Sequence, residues 1–205
     1  MNLRARRSRQ LLGCVSLVLV LGMTGAGASS AKVFASQNQA LAEAFPEATR
    51  IERDTRVLGA SDVEQIEALT KEKLEKRILV LHIAYKDDVI LGYAQIDVHN
   101  VRTKSEAFMV VLDPEGETRS VRILAFHEPL DYLPTNRWYG QFAGKTGADS
   151  LRVGGDVHGV VGATLSARAA ADGVRRMLAY WKVLLQPSAN HKSASTTRDT
   201  PGNAS

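Results

Sequence analysis

ILVLHIAY (residues 78–85), VILGYAQIDV (89–98), EAFMVVLD (106–113) and SVRILAF (120–126) follow one another in close succession, each apolar and rich in β-branched or aromatic residues. Runs of this length and composition read as strands. Lys86-Asp87-Asp88 and Pro114-Glu115-Gly116-Glu117 between them are turn chemistry. Links of a few residues join antiparallel strands, whereas a parallel pair needs a crossover of a dozen or more. The reading is an antiparallel meander.

Outward from the meander, residues 49–58 read as a further strand. Ser61 is then placed as the cap of a helix carrying Val63, Ile66, Leu69 and Leu74 near helical spacing, with Glu64 completing a capping box. Before these, Ser36 precedes QNQALAEAF, whose Ala40, Leu41, Ala44 and Phe45 share a helical face that Pro46 ends. After the last strand come an irregular, aromatic-rich segment (127–144) and a Gly-rich segment (154–163). A long helix follows, with Ala170, Val174, Met177, Leu178, Trp181 and Leu185 on one face, Arg168, Arg175 and Arg176 mainly on the other, and its end before Pro187. The expected architecture is a single α+β domain, a twisted antiparallel sheet over about 49–126 flanked by helices, within residues 32–186.

The ends read differently. MNLRARRSRQ holds four arginines and no acid, and an apolar run to about Ala28 closes on small residues. This is the layout of a secretion signal over residues 1–31, cleaved or retained as an anchor. The reading places the domain outside the cytoplasm, periplasmic or attached to the outer face of the cytoplasmic membrane. The only cysteine, Cys14, lies in this segment, so the domain can use neither disulfides nor thiol chemistry. Residues 1–31 also hold four of the 26 Lys and Arg and none of the 22 Asp and Glu, leaving 22 of each. That balance excludes nucleic acid, which demands a basic face. The tail, 187–205, has too few apolar residues to offset ordering entropy and reads as disordered.

The segment richest in chemistry is DVHGVVGATLS (156–166), leading straight into the long helix. Small residues let the backbone approach a phosphate, and the first-turn N–H groups and the helix dipole favour an anion at Thr164. The same spacing also suits Thr164 or Ser166 as a simple N-cap, with the glycines making a turn.

Gly162-Ala163-Thr164, followed by Leu165-Ser166, resembles the flavinylation motif of the FMN-binding domain family, Asp-x-x-(Ser/Thr)-Gly-Ala-Thr. His158 stands where that pattern has Asp, and Val161 where it has Ser or Thr; an Asp-x-His-Gly-x-x-Gly-Ala-Thr-Leu variant would include His158 and Gly159. A second block, Ala125-Phe126-His127-Glu128-Pro129, is similar to the His-x-Glu-Thr-Pro stretch that follows a strand and lines the flavin in that family. The resemblance spans roughly 32–185. It implies that a flavin transferase moves FMN from FAD onto the Thr164 hydroxyl, and that His158, Gly159, Gly162, Ala163, Leu165, Ser166, His127 and Glu128 surround the cofactor. It further implies an electron carrier serving a membrane or periplasmic redox partner, with the redox chemistry residing in the flavin. Binding of FMN or another anion without covalent attachment, as a binding or sensory module, and a structural domain whose Gly-Ala-Thr turn is only a cap, are the alternatives.

From the residues alone, His127 and Glu128 fit a turn that closes an edge strand as well as a ligand contact. His82 reads as a hydrogen-bonded core histidine and His99 as a loop residue. Trp138 and Tyr139 could shield a ring or pack, and Phe142 reads as core. The histidines and carboxylates have no metal spacing. A Walker loop, a Gly-x-Ser-x-Gly elbow and a dinucleotide fingerprint are all missing.

Overall fold

The computed structural model describes residues 32–186; the secretion-signal and disordered-tail readings, with Cys14 and Pro187, lie outside them. Six antiparallel strands form one sheet in the order β1-β6-β5-β4-β3-β2. They are β1 (Lys32–Val33), β2 (Arg50–Val57), β3 (Ile78–Lys86), β4 (Val89–Asn100), β5 (Ser105–Leu112) and β6 (Thr118–Phe126). Helices α1 (Gln37–Ala44), α2 (Ala60–Thr70), α3 (Asn136–Tyr139) and α4 (Thr164–Tyr180) complete the single α+β domain, and α4 runs on into a π-helical turn, Trp181–Leu185. None of the described helices is long and apolar enough to cross a membrane.

The four apolar runs are strands β3 to β6, and their two-residue period explains why helices cover both faces. Leu79, Leu81 and Ile83 of β3 and Phe108, Val110 and Leu112 of β5 join the core under α2 and α4. Ala84, Ala94, Met109, Val111 and Leu124 face the other way, against Ala40, Leu41 and Phe45 at α1. Complete burial of one Leu or Phe side chain contributes about 1.5–3 kcal/mol, so the first of these cores dominates by the number of its large side chains. Gly173 sits in the middle of α4 because a Cβ there would run into the Phe108 ring. The missing side chain sets how closely α4 lies on β5.

Helix boundaries depart from the sequence reading at α2. The N-cap is Gly59, whose N–H donates to the Asp62 carboxylate at 3.0 Å; Ser61 and Glu64 form no capping box. The helix stops at Thr70 with Lys71 in the left-handed region at φ 61°, so Leu74 lies beyond it and donates its N–H to Glu67. At α4, Arg175 and Arg176 are half-buried and tied into ion pairs. Arg175 bonds Glu72 and Asp172, and Arg176 bonds Glu72 and, at 2.5 Å, Asp97. His99 also differs, lying within β4 and not in a loop, because pairing with β5 extends the strand to Asn100, opposite Ser105.

Candidate functional site

The Gly-rich segment is held by its neighbours on both sides. Asp156 accepts from the Ser150 hydroxyl at 2.6 Å and from the N–H groups of Leu151 and Arg152 at 2.9 and 2.8 Å. Burial pushes its carboxyl up, but these hydrogen bonds outweigh burial and hold it well below the usual carboxylate range. Asp156 is therefore a turn organiser. Two residues on, the backbone of His158 is gripped by side chains of the α3 segment: its N–H donates to Gln141 Oε1 and its carbonyl accepts from the Trp138 indole N–H, each at 2.7 Å. The His158 ring itself is exposed.

Beyond this clamp the chain turns at Gly162, in the left-handed region at φ 83°, and enters α4 through Ala163. Thr164 is the first residue of the helix and is exposed; its hydroxyl donates to the Val160 carbonyl at 3.3 Å. Neither Thr164 nor Ser166 is the N-cap. Ser166 is buried and donates to the Tyr132 carbonyl at 2.7 Å, tying the start of α4 to the segment after β6. Helices α1 and α3 are capped by the side chains of Ser36 and Thr135, and α2 has Asp62, whereas no side chain hydrogen-bonds at the cap of α4. The unpaired first-turn N–H groups at that end are the ordinary anion-binding feature of a helix. Val161 and Leu165 project beside Thr164 as exposed apolar side chains, and Gly159 lies in the same exposed loop.

No protein-family model matches the chain, and no curated protein matches it.

The contacts of the second block are with the β4–β5 turn and the start of β5. His127 Nδ1 lies 3.0 Å from the Ser105 carbonyl oxygen. Glu128 is buried, and its Oε1 accepts from the N–H groups of Thr103 and Lys104 at 2.8 and 2.9 Å and from the Thr103 hydroxyl at 3.2 Å. The Thr103 and Lys104 amides, aided by burial-opposing contacts from the Thr103 hydroxyl and Arg102, hold its carboxyl below the usual range. Glu128 thus latches the β4–β5 turn. The segment it opens continues to Tyr132, which meets Ser166, and on to α3. There Tyr139 and Phe142 are core, and the Trp138 ring stands edge-on to both at 5.0 and 5.3 Å. His82 is buried with its Nε2 against the Gln37 amide at 2.8 Å, a core histidine.

Sequence reasoning missed Gln141 and a polar cluster under the sheet. Glu106 of β5 is completely buried, and neither carboxylate oxygen has a hydrogen-bond partner. His99, opposite it on β4, places Nε2 3.9 Å from Glu106 Oε2 and Nδ1 3.8 Å from Asp97 Oδ2. Burial drives Glu106 up to about 8, reinforced by Asp97, while burial drives His99 down. Among the described residues no group of three or more His, Cys, Asp or Glu could hold a metal ion.

Proposed function

We propose that the chain is an exported flavoprotein that carries FMN phosphoester-linked to Thr164 and transfers electrons outside the cytoplasm. The observation that carries this reading is the exposed Thr164 hydroxyl at the uncapped start of α4, just after a left-handed glycine. Helix N–H groups and the dipole there favour a phosphate joined to that oxygen. Attachment from FAD breaks the phosphoanhydride bond, joins the FMN phosphorus to the Thr164 oxygen and releases AMP, with the hydroxyl proton lost. The flavin supplies the redox chemistry; this chain's part is to hold the phosphate, fix the loop through Trp138 and Gln141, and prevent loss of the cofactor outside the cell.

Two features favour a second reading, binding of FMN or another anion without a covalent bond. Val161 offers no hydroxyl where the resembled motif has one, and the Thr164 hydroxyl is directed to the Val160 carbonyl. Intact-mass spectrometry and a visible spectrum of protein exported from a host with a flavin transferase separate the two. A mass gain of one FMN less water, on the peptide containing Thr164 and absent in Thr164→Val, is the expected result. A yellow protein of unmodified mass supports non-covalent FMN, and a colourless unmodified one overturns the flavoprotein reading in favour of a colourless anion or a structural turn.

A further inference from the structure

Where α2 ends beside α4, residues 147–152 complete a pocket of about 290 Å³. Leu69, Leu178 and Ala179 give it an apolar wall, on which Leu69 stays exposed. Four cations also line it, Lys71, Arg152, Arg175 and Lys182, against one acid, Asp149. These charges are unequally satisfied. Asp149 is tied to Lys145 at 2.9 Å and to the Thr146 N–H at 2.8 Å. Arg175 bonds Glu72 and Asp172 and donates to the Thr70 and Leu151 carbonyls, while its Nε–H is buried with no partner among the described residues. Lys71, Arg152 and Lys182 form neither an ion pair nor a side-chain hydrogen bond with any described residue. The backbone of the pocket is also unusual. Lys71 and Leu151, at φ 61° and 50°, are two of the three non-glycine residues described in the left-handed region, and strain of this kind clusters at ligand sites. Lys182 is carried by the π-helical turn, a rare form that recurs at functional sites.

Three unpaired cations around one apolar pocket repel one another, and a bound anion relieves that repulsion. A single exposed cation holds an anion weakly, so the convergence is what makes a site. The apolar wall suits a ligand with hydrocarbon character. A planar guanidinium beside two ammonium groups matches the oxygens and double charge of a phosphate better than the single charge of a carboxylate. We propose that this pocket binds a small phosphate monoester with an apolar body, the phosphate held by Lys71, Arg152 and Lys182 and the body against Leu69, Leu178 and Ala179. The site is separate from Thr164, since α4 runs roughly 16 Å from Thr164 to Arg175 at 1.5 Å per residue. It stands whether or not flavin is attached.

Titration of ¹⁵N-labelled, unflavinylated protein with phenyl phosphate, followed by amide chemical shifts, tests the proposal. Residues 69–71, 147–152 and 178–182 should shift together and saturate, while Thr164 to Ser166 stay in place. The double variant Lys71→Gln, Lys182→Gln should weaken binding by roughly tenfold or more, and it should fold because both side chains are exposed. Lys73→Gln with Lys76→Gln removes the same charge from exposed lysines outside this pocket and should leave the affinity unchanged. Inorganic phosphate and benzyl alcohol, each carrying half of the ligand's chemistry, should bind roughly tenfold more weakly than phenyl phosphate, and benzoate should also bind more weakly. Shifts confined to Thr164–Ser166, or absent at millimolar ligand, overturn the proposal. So does equal affinity for inorganic phosphate, benzyl alcohol or benzoate, or an equal loss in the two double variants. Because the unflavinylated protein is used, the result is independent of the mass measurement at Thr164.

Discussion

Glu106 and Glu128 lie at the same, open end of the β5–β6 hairpin, and both are buried, yet their chemistry is opposite. Glu128 meets two backbone N–H groups and a hydroxyl, so its charged form is favoured. At Glu106 burial, reinforced by the negative field of Asp97, favours the neutral form, and the Tyr139 hydroxyl, which favours the charged one, does not offset them. Burial alone therefore says little about what a carboxylate does; the donors within reach decide. Glu128 fastens a turn, while the surroundings of Glu106 favour the neutral acid.

The largest expected effect is on Glu106. Its folded carboxyl keeps the proton up to about 8, whereas in the unfolded chain it loses it near the ordinary 4.5. The folded state thus binds the extra proton throughout that window, and stability falls as pH rises across it, by up to about 1.4 kcal/mol per pH unit, and levels off above. Glu106→Gln removes this slope. Urea unfolding at pH 5, 6.5 and 8 should show the variant gaining on the parent at each step. Parallel curves would mean that Glu106 is ionised in the fold.

A second, smaller effect asks whether the close approach of α4 creates the dry surroundings of Glu106. In Gly173→Ala the new methyl would strike the Phe108 ring and lie 3.2 Å from Asp97 Oδ2. Alanine is the better helix former by about 1 kcal/mol, but overpacking costs about 1–3 kcal/mol and prevails here. The expected result is a net loss of stability by urea unfolding, with the Glu106 midpoint shifted down as the helix is pushed off β5. A variant as stable as the parent would show that α4 yields without cost.

Much of this was legible in the sequence and some was not, for identifiable reasons. The sheet showed because β3 to β6 are apolar on both faces. Glu106 shares the parity of Phe108, Val110 and Leu112, but Met109 and Val111 of the other parity are core too, so alternation did not single out its burial. His99 was misplaced because cross-strand pairing, not hydrophobicity, carries β4 to Asn100. The start of α2 was misread because Ser61 and Glu64 have capping-box spacing, while Gly59 and Asp62 make the bond. At the site, the glycines and the threonine before α4 were visible as local chemistry. The clamp by Trp138 and Gln141 was not, since it is a tertiary contact that no local spacing encodes.

The smallest effect belongs to Glu128, and its sign is the reverse of that at Glu106. The Thr103 and Lys104 amides depress its folded value, so the stability it contributes is present above the unfolded value and is lost as pH falls through the folded one. Glu128→Gln keeps a carbonyl oxygen for those donors but removes the charge that strengthens the bonds. The loss should thus be modest at neutral pH and vanish in acid, where the parent carboxyl is protonated too. Amide exchange at Thr103 and Lys104 is the direct readout, faster in the variant at pH 7 and alike in both proteins at low pH. Equal exchange at pH 7 would mean that geometry alone holds the turn and that the charge of Glu128 adds nothing to it.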